Sequence, residues 1–305
     1  MKKVLVIGGA GFLGSHVADT LTAQDYSVSI FDIKKSDHLQ NNQTMIIGDI
    51  SNRDIVRTAI KGMDIVFHFA AVADIKEAAQ SPELTVQQNI MGTMYVLEAC
   101  KDFGIKRFIF SSTIYVYTAH GSFYRSSKQA CELLIDNYSQ EFGLDFTILR
   151  YGSLYGKRAN HFNFIHNSIK QALIEGKISR KGDGKEKRAY INIIDAAKAS
   201  VKSLDERFKN KYLMITGNQT IQVKDLLNMI NEIMNNQIAI EYVEGQMEGH
   251  YKITPYSFKP IVAQSLTLDN AYDLGQGLLE TIYTVYQDLI DEGIDTISFE
   301  NKKKE

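Results

Sequence analysis

The sequence predicts an α/β fold of the Rossmann type, in which a doubly wound parallel sheet is joined to a smaller C-terminal α/β region. Three observations support this fold class. Short apolar runs alternate with segments of helical periodicity through the first 150 residues. The first apolar run ends in a glycine-rich turn that leads directly into a helical segment. The alternation weakens after residue 150, which indicates a second, smaller region.

Six strands and four helices are predicted in the N-terminal part. The strands cover residues 3–7, 27–32, 44–47, 64–69, 106–111 and 145–150, and the helices cover residues 12–23, 52–61, 82–103 and 124–142. Pro82, which follows a capping Ser81, is typical of a first helical turn. Strands that alternate with helices need crossover connections, so we expect a parallel sheet with helices on both faces.

The C-terminal part has weaker signals. We expect helices at 161–175, 195–204, 223–234 and 277–290, a strand at 211–215 and an irregular loop at 251–261. The predicted organisation is a cofactor-binding domain at 1–150, an interleaved substrate-binding region at 151–291 and a polar, frayed tail at 292–305.

Composition and charge exclude several classes of protein. A formal net charge of −2 gives no reason to expect nucleic acid or an anionic membrane as a partner. No apolar run approaches the ~20 residues that a membrane span needs, and Lys2 and Lys3 precede too short a run for a signal peptide. Cys100 and Cys131 show no metal-ligand spacing, so we expect two reduced cysteines, no bound metal and a cytoplasmic location.

The glycine-rich turn predicts a dinucleotide site. Glycines at positions 8, 11 and 14 allow a tight turn, close approach of the backbone to a pyrophosphate, and close packing of the following helix. The N-terminus of that helix offers unpaired N–H groups to phosphates. We therefore expect cofactor contacts from the turn, namely from Gly8, Gly11, Phe12, Leu13 and Gly14.

Acidic residues after the second and third strands extend this site. Asp32 lies 18 residues after Gly14, where a carboxylate can accept hydrogen bonds from both ribose hydroxyls. A carboxylate there repels a 2′-phosphate, which favours NAD over NADP, although Lys34 and Lys35 lie nearby. Asp49 and Ile50 suit the adenine edge of the site.

The pair Tyr124 and Lys128 indicates acid–base catalysis. Tyr124 and Lys128 lie one helical turn apart on the same face of a predicted helix. A cation beside a phenol favours the phenolate and should lower the pKa of Tyr124 towards the range useful for acid–base catalysis. The preceding strand ends in Ser112 and Thr113, where a hydroxyl can reach the same substrate oxygen. The alternative is a surface pair on an amphipathic helix.

Together, several motifs resemble the extended short-chain dehydrogenases/reductases of the nucleotide-sugar epimerase/dehydratase group. Beyond the glycine turn, the resemblance rests on His68-Phe-Ala-Ala71, Asn89-Ile-Met-Gly-Thr93, Ser111-Ser-Thr113, Tyr124…Lys128, Arg150-Tyr-Gly-Ser-Leu-Tyr-Gly156 and Arg188-Ala-Tyr-Ile-Asn-Ile-Ile-Asp195. It runs from Lys2 to about Ala199 and more faintly to Ile290.

The resemblance implies roles for the reactive residues. Tyr124 would take the proton from a sugar hydroxyl, usually at C4, while hydride passes to NAD. Lys128 would hold the nicotinamide ribose and tune Tyr124, and Thr113 would bond the reacting oxygen. Ala70 would contact the cofactor, whereas His68 would belong to the core.

The resemblance also implies a nucleoside-diphosphate sugar as substrate. Ser112, Tyr151 and Ser153 would contact it, and Arg188 would meet its pyrophosphate, although the surrounding Lys/Arg-rich stretch could equally be a solvated loop. Asn89 would lie on the helix behind the site. The family usually dimerises through the helices that correspond to 82–103 and 124–142, so we expect a homodimer or a higher homo-oligomer.

The sequence departs from the family pattern near Thr113. Dehydratases of this group carry an Asp-Glu pair directly after the catalytic threonine, but here Ile114 and Tyr115 follow, so a 4,6-dehydratase is not expected. Only ten residues separate Thr113 from Tyr124, fewer than in most relatives. The short loop suggests a more open site, a bulkier sugar or a wall completed by a partner subunit.

Two further departures concern the substrate. Ser153 stands where many epimerases have asparagine, and no arginine follows Arg207, so Lys252 or Lys259 would have to replace a second pyrophosphate arginine. Hydride chemistry is unaffected, but 4-epimerisation and release of a 4-keto sugar both stay open. The alternatives are a non-catalytic NAD-binding sensor or scaffold, which would be free to lose Tyr124, and an enzyme of steroid or flavonoid alcohols.

Overall fold

The computed structural model describes residues 1–244, 263–268 and 270–297; the predicted loop at 251–261, with Lys252 and Lys259, lies outside the described residues. The strands are β1 (Lys3–Ile7), β2 (Ser27–Asp32), β3 (Thr44–Ile47), β4 (Ile65–His68), β5 (Arg107–Thr113), β6 (Phe146–Tyr151), β7 (Ser153–Tyr155), β8 (Lys177–Lys181), β9 (Lys187–Asn192), β10 (Lys211–Ile215), β11 (Thr220–Gln222), β12 (Ala239–Val243) and β13 (Gln264–Ser265).

The helices lie between these strands and at the C-terminal end. They are α1 (Phe12–Thr22), α2 (Arg53–Ile60), α3 (Ile75–Gln80), α4 (Pro82–Thr85), α5 (Gly92–Asp102), α6 (Ser122–Phe142), α7 (Phe164–Glu175), α8 (Ile193–Lys202), α9 (Val223–Ile233) and α10 (Leu274–Asp291). Among the described helices, none is long and apolar enough to cross a membrane.

Eight strands form one parallel sheet in the order β13-β10-β6-β5-β4-β1-β2-β3. The order reverses at β1, because β2 lies on one side of it and β4 on the other. In an open α/β sheet, ligands bind in the crevice at the carboxyl ends of the strands where the order reverses. The predicted Rossmann-type doubly wound sheet is confirmed.

The core consists of one apolar layer on each face of the sheet. Val4 and Val6 of β1 pack on the face covered by α1 and α8, whereas Leu5 and Ile7 pack on the face covered by α2, α5 and α6. This two-sided burial explains why the strand reads as a continuous apolar run. Both cysteines are buried and free in the second layer.

The C-terminal region forms its own apolar cluster beside the sheet. Helices α7, α9 and α10 enclose it, with residues such as Ile169, Leu227 and Leu278 at its centre. Small sheets of order β11-β9-β7 and β12-β8 accompany it. The predicted polar tail needs a correction at its start, because Ile297 packs on this cluster and its N–H donates to the Leu173 carbonyl at 2.8 Å.

The segment predicted as one helix at 82–103 does not have the hydrogen bonding of a continuous α-helix. Helix α4 is followed by a π-helical turn at Val86–Met91 and then by α5, so the segment is helical but not uniformly α. A π turn inserts a residue into the helix, and such turns are frequent at functional sites. Here it carries Asn89, which is 1% exposed.

Candidate active site

A cavity of about 780 Å³ lies at the carboxyl ends of the central strands. It brings together most of the residues predicted for the site, namely Gly8, Gly11, Phe12, Leu13, Gly14, Asp32, Asp49, Ile50, Ala70, Ser112, Thr113, Tyr124 and Tyr151. Ser153, Lys128 and Arg188 lie outside its lining among the described residues.

The glycine turn, residues 8–14, is shaped for close approach of a ligand and of its own backbone. Gly8 has φ of +81°, and a Cβ on it would lie 2.5 Å from the Ala70 nitrogen. A Cβ on Gly14 would lie 2.1 Å from the Gly8 carbonyl oxygen. Any larger side chain would therefore open the turn, which explains why these two positions are glycine.

The turn leads directly into the N-terminus of α1. The cap residue Gly11 supplies no side-chain hydrogen bond, so the first N–H groups of the helix face the cavity without a capping side chain. Unpaired N–H groups and the positive end of the helix dipole fit the phosphates of a dinucleotide. This cradle therefore suits the pyrophosphate of NAD.

Asp32 and Asp49 lie at the cofactor end of the cavity. Asp32 Oδ2 accepts a hydrogen bond from the Ala10 N–H at 3.0 Å, which fixes the carboxylate beside the glycine turn. Asp49 Oδ1 accepts from the Ser51 N–H at 2.8 Å and from Gln88 Nε2 at 3.2 Å. Both acids are held by backbone groups at the edge where ribose and adenine would bind.

Tyr124, Thr113 and Lys128 form the reactive end. Tyr124 is half-buried and hydrogen-bonded with the Thr113 side chain, while Lys128 Nζ lies 5.9 Å from the centre of the Tyr124 ring. Lys128 is 3% exposed, and its Nζ donates to the Ser111 carbonyl at 2.7 Å. The phenol thus faces the cavity, and the ammonium lies behind it.

The pKa values of this pair differ from the sequence-based expectation. Burial raises the pKa of Tyr124 to about 12, opposed only in part by the Thr113 hydrogen bond. Burial also lowers the pKa of Lys128 to about 8, although the Glu132 carboxylate favours the charged form. The pKa of Tyr124 is therefore raised in the protein alone, where a lowered value was predicted, because removal from water is the largest effect on the phenol.

Ser112 serves a buried ionic network. Its Oγ donates to Glu132 Oε1 at 2.6 Å, and Arg150 Nε and Nη2 donate to the two oxygens of the same carboxylate at 2.9 and 2.6 Å. Arg150 Nη1 donates to the Tyr117 hydroxyl at 2.6 Å. The Ser112 hydroxyl, predicted to contact substrate, is therefore directed at α6, where it ties the end of β5 to the helix of Tyr124.

Tyr151 also differs from its predicted role as a substrate contact. Its hydroxyl is hydrogen-bonded with Ser200 Oγ of α8 at 2.6 Å, and burial raises its pKa. The residue borders the cavity, but its polar atom is engaged behind the sheet. Arg188 lies buried on β9, where its Nη1 donates to the Lys187 carbonyl at 2.8 Å, and Ser153 begins β7.

Asn89 connects the cavity wall to the helix of Tyr124. Its Oδ1 accepts from the Val72 N–H at 2.7 Å, and its Nδ2 donates to the Val72 carbonyl at 3.1 Å and to Ser127 Oγ at 2.9 Å. His68 is a core residue as expected. It contacts Thr93 Oγ1 at 2.9 Å, and burial lowers its pKa to about 3, so its ring is neutral.

One part of the cavity wall was not predicted from the sequence. Asn160, Phe162 and Asn163 line it, and Asn163 Nδ2 donates to the Leu154 carbonyl at 2.8 Å while its Oδ1 caps α7. No motif identified these residues, although they follow directly after the Arg150–Gly156 stretch. Glu77, at the start of α3, also lines the cavity.

The chain is similar to several known proteins. The model of the NAD dependent epimerase/dehydratase family matches residues 4–214. The UDP-N-acetyl-α-D-glucosaminuronate decarboxylase of Bacillus cytotoxicus is 27% identical over 286 residues, which cover 85% of this chain and 87% of the relative.

Two solved structures share the whole fold. A UDP-N-acetylglucosamine 4-epimerase from Methanobrevibacter ruminantium, in complex with UDP-N-acetylmuramic acid, is 27% identical with a TM-score of 0.82 and covers 94% of this chain and 99% of its own. The UDP-glucuronic acid 4-epimerase of Bacillus cereus, in complex with UDP-glucuronic acid and NAD, is 26% identical with a TM-score of 0.81, covering 93% and 99%. Since the family model covers more than half of its length, the chain belongs to the NAD-dependent epimerase/dehydratase family, and its cofactor is NAD.

Proposed function

We propose that this protein oxidises C4 of a nucleoside-diphosphate sugar by hydride transfer to NAD, acting either as a 4-epimerase or as a dehydrogenase that releases the 4-keto sugar. One observation carries the proposal. The glycine turn and Asp32 share a single cavity with Thr113 and Tyr124, and Lys128 lies directly behind the phenol.

In the proposed reaction, Tyr124 takes the proton from the sugar hydroxyl and Thr113 holds the same oxygen by a hydrogen bond. When bound, oxidised NAD supplies the hydride acceptor and a positively charged ring that favours the phenolate. Lys128 holds its ammonium 5.9 Å from the centre of the Tyr124 ring and stabilises the charge that develops on the phenol. The Asn89 side chain and the Ser112–Glu132 hydrogen bond hold α6, which carries Tyr124 and Lys128, and the end of β5, which carries Thr113.

The identities of the similar proteins support a sugar nucleotide as substrate. Two of them are named as 4-epimerases of UDP-sugars, and a third as a decarboxylase of a UDP-sugar acid. A ketone at C4 of a uronate lies β to the carboxylate, so oxidation at C4 can precede loss of CO₂ as well as epimerisation. We propose Arg188 as the residue that meets the pyrophosphate, because a guanidinium can bond phosphate oxygens in pairs. To do so, its side chain has to leave its buried position on β9, which lies outside the lining of the cavity.

We propose that the protein is not a 4,6-dehydratase. Elimination of water needs a general acid and a general base beside the reacting carbons. The two residues that follow Thr113 are Ile114 and Tyr115, and Ile114 is buried at 2% exposure. The place of an Asp-Glu pair is therefore taken by an aliphatic side chain and a phenol, so neither carboxyl group is present.

Incubation with a panel of UDP-, GDP- and dTDP-sugars tests the proposal, with nicotinamide absorbance and product NMR followed together. A new C4 epimer without net NADH identifies a 4-epimerase, and a keto sugar with stoichiometric NADH identifies a dehydrogenase. A 4-keto-6-deoxy product would contradict the exclusion of dehydratase chemistry.

The Tyr124→Phe variant serves as the matched test of mechanism. It should bind NAD as the parent does and lose turnover, because it keeps the ring and removes only the hydroxyl. If the variant turns over normally, Tyr124 has no part in the reaction. If the parent binds NAD but acts on no sugar, the alternative of a dinucleotide sensor or scaffold is favoured.

A further inference from the structure

A buried ion pair joins the elements that carry Thr113 and Tyr124. Glu132 of α6 and Arg150 of β6 are both buried, and Nε and Nη2 of the guanidinium donate to the two carboxylate oxygens at 2.9 and 2.6 Å. Removing two charges from water is costly, and their mutual attraction often does no more than offset that cost. A buried pair beside a reactive site therefore calls for an explanation other than stability.

The pair holds the chain on both sides of Thr113. Before it, Ser112 Oγ donates to Glu132 Oε1 at 2.6 Å. After it, Tyr117 ends the helical turn that follows Thr113, and its hydroxyl accepts from Arg150 Nη1 at 2.6 Å. The Arg150 guanidinium also lies 4.7 Å from the centre of the Tyr117 ring. One ion pair thus fixes where the Thr113 hydroxyl lies at the end of β5.

The same pair reaches the helix of the proposed base. Tyr124, Lys128 and Glu132 follow one another at intervals of four residues on α6, so they lie along one face of the helix. Tyr124 borders the cavity and is hydrogen-bonded with the Thr113 side chain. Glu132, one turn beyond Lys128, is therefore the point at which this face of α6 is bonded to β5 and β6.

The surroundings of the Lys128 ammonium contain a single carboxylate among the described residues. The groups that face it from β4, β5 and α6 are His68, Phe110, Ser111, Tyr124, Cys131 and Glu132. Burial lowers the pKa of His68 to about 3 and raises the pKa values of Tyr124 and Cys131, so these three groups are uncharged at neutral pH. Of this set, only Glu132 supplies a negative charge that opposes the loss of the Lys128 proton.

We propose that Glu132 is a positioning residue for the reacting groups. Its carboxylate keeps the Lys128 ammonium charged and holds the end of β5 against α6, while Arg150 fixes the carboxylate in place. The inference rests on the proposed function, in which Thr113 and Tyr124 act on one sugar hydroxyl. Since these two groups belong to different elements, a small displacement between the elements would slow the reaction strongly.

The charge on Lys128 is followed by urea unfolding of the full chain from neutral to strongly alkaline pH. The measured quantity is the difference in the free energy of unfolding between each protein and its Lys128→Met version, which needs no substrate. In the parent this difference should begin to shrink near pH 8. In Glu132→Gln we expect that onset about one pH unit lower, because an ammonium without a nearby carboxylate releases its proton more easily. Glu141→Gln, an exposed carboxylate of α6, is the matched control and should keep the onset of the parent.

A second variant removes both charges of the pair. Glu132→Gln alone leaves the Arg150 guanidinium buried without its partner, which is strongly destabilising. Glu132→Gln combined with Arg150→Met leaves no unpaired charge and should fold, because replacing a whole buried ion pair is often neutral for stability. It should show the same lower onset, since Glu132 acts on the Lys128 ammonium from the same helix.

Turnover of the NAD-loaded protein measures the positioning itself. Ser112→Ala keeps both charges of the pair and removes only the bond to the end of β5. It should keep the onset of the parent, lower kcat by about tenfold and change KM by less than about threefold.

The proposal is overturned if the onset in the double variant equals that of the parent, because Glu132 then does not hold the charge on Lys128. It is equally overturned if Ser112→Ala turns over as fast as the parent. If the parent acts on no sugar nucleotide, the proposed function fails, whereas the unfolding measurements still decide whether Glu132 controls the charge on Lys128.

Discussion

At the scale of single residues, Lys128 combines a proposed catalytic role with a cost in stability. The ammonium is almost completely buried, and burial lowers its pKa from an ordinary 10.5 to about 8. The folded state therefore disfavours the charged form relative to the unfolded state. This penalty is fully present below pH 8. It shrinks as the pH rises from 8 to 10.5, because over that range the folded protein has lost the proton from Lys128 while the unfolded chain still binds it, and it is absent above pH 10.5, where both states are neutral.

Lys128→Met should consequently be inactive and more stable than the parent at pH 7, by up to about 3 kcal/mol in the free energy of unfolding. The gain should shrink as the pH rises from 8 towards 10.5. Urea unfolding at several pH values measures both effects, with the exposed Lys61→Met as the control. A stability difference that does not vary with pH would contradict this account of Lys128.

Asp32 is a second single residue with a proposed role, because its carboxylate is proposed to determine the preference for NAD over NADP. Asp32→Ala should weaken the preference for NAD over NADP by about tenfold, equivalent to about 1.4 kcal/mol, because the repulsion of a 2′-phosphate is removed. Binding of both dinucleotides is measured by fluorescence titration. Asp37→Ala, in the loop that follows β2, is the control; an unchanged preference in Asp32→Ala would refute the ribose assignment.

At the scale of elements, the π turn at Val86–Met91 joins the cavity wall to α6, the helix that carries Tyr124. It holds Asn89 so that one amide bonds both backbone groups of Val72 and the Ser127 hydroxyl. Ser127 Oγ in turn donates to the Tyr124 carbonyl at 2.8 Å. The wall and the proposed base are thus connected through two side chains, those of Asn89 and Ser127.

Asn89→Ala should lower the free energy of unfolding by about 3 kcal/mol, because it leaves the buried N–H and carbonyl of Val72 without partners. Gln87→Ala, an exposed residue of the same turn, should stay within about 0.5 kcal/mol of the parent. Chemical denaturation compares the two variants. If both variants lower the free energy of unfolding by the same amount, the hydrogen bonds of Asn89 do not stabilise the protein specifically.

Elements also show what the sequence can and cannot predict. β1, β2, β3 and β10 match the predicted bounds. In β1 every residue after Lys3 is buried, which gives a continuous apolar signal, whereas β3 lies at the edge of the sheet and has no buried residue. β8 was missed, since three of its five residues, Lys177, Arg180 and Lys181, are charged, and among the described strands it pairs with β12 alone. The π turn was missed because its apolar spacing still reads as helical.

The same limit applies to the site. The glycine turn and the Tyr124–Lys128 pair are local patterns, and the cavity contains the turn and the tyrosine. The hydroxyl partners of Ser112 and Tyr151 are Glu132 and Ser200, which are distant in sequence. Only the packing of α6 and α8 on the sheet determines those bonds, so the sequence alone could not reveal them.

At the scale of the whole molecule, the exposed apolar residues of α6 bear on assembly. Leu133 is 63% exposed and Phe142 57% exposed on this helix, and we propose that they pack against a second copy of the chain. We predict that Leu133→Glu shifts the protein from dimer to monomer, because it places a charge in the proposed interface. Sedimentation velocity measures the change, and Leu279→Glu on α10, where the leucine is 55% exposed, is the matched control. A parent protein that is already monomeric would refute the proposed interface.

The central claim, hydride transfer from C4 of a sugar nucleotide to NAD, is tested most directly with substrate deuterated at C4. In a single turnover quenched before completion, we predict that deuterium appears on the nicotinamide ring of the bound cofactor in the parent protein and does not appear in Tyr124→Phe. Conversion of the sugar with the deuterium lost to solvent would contradict the claim, because a 4-epimerase returns the same deuterium to C4 and a dehydrogenase leaves it on the cofactor.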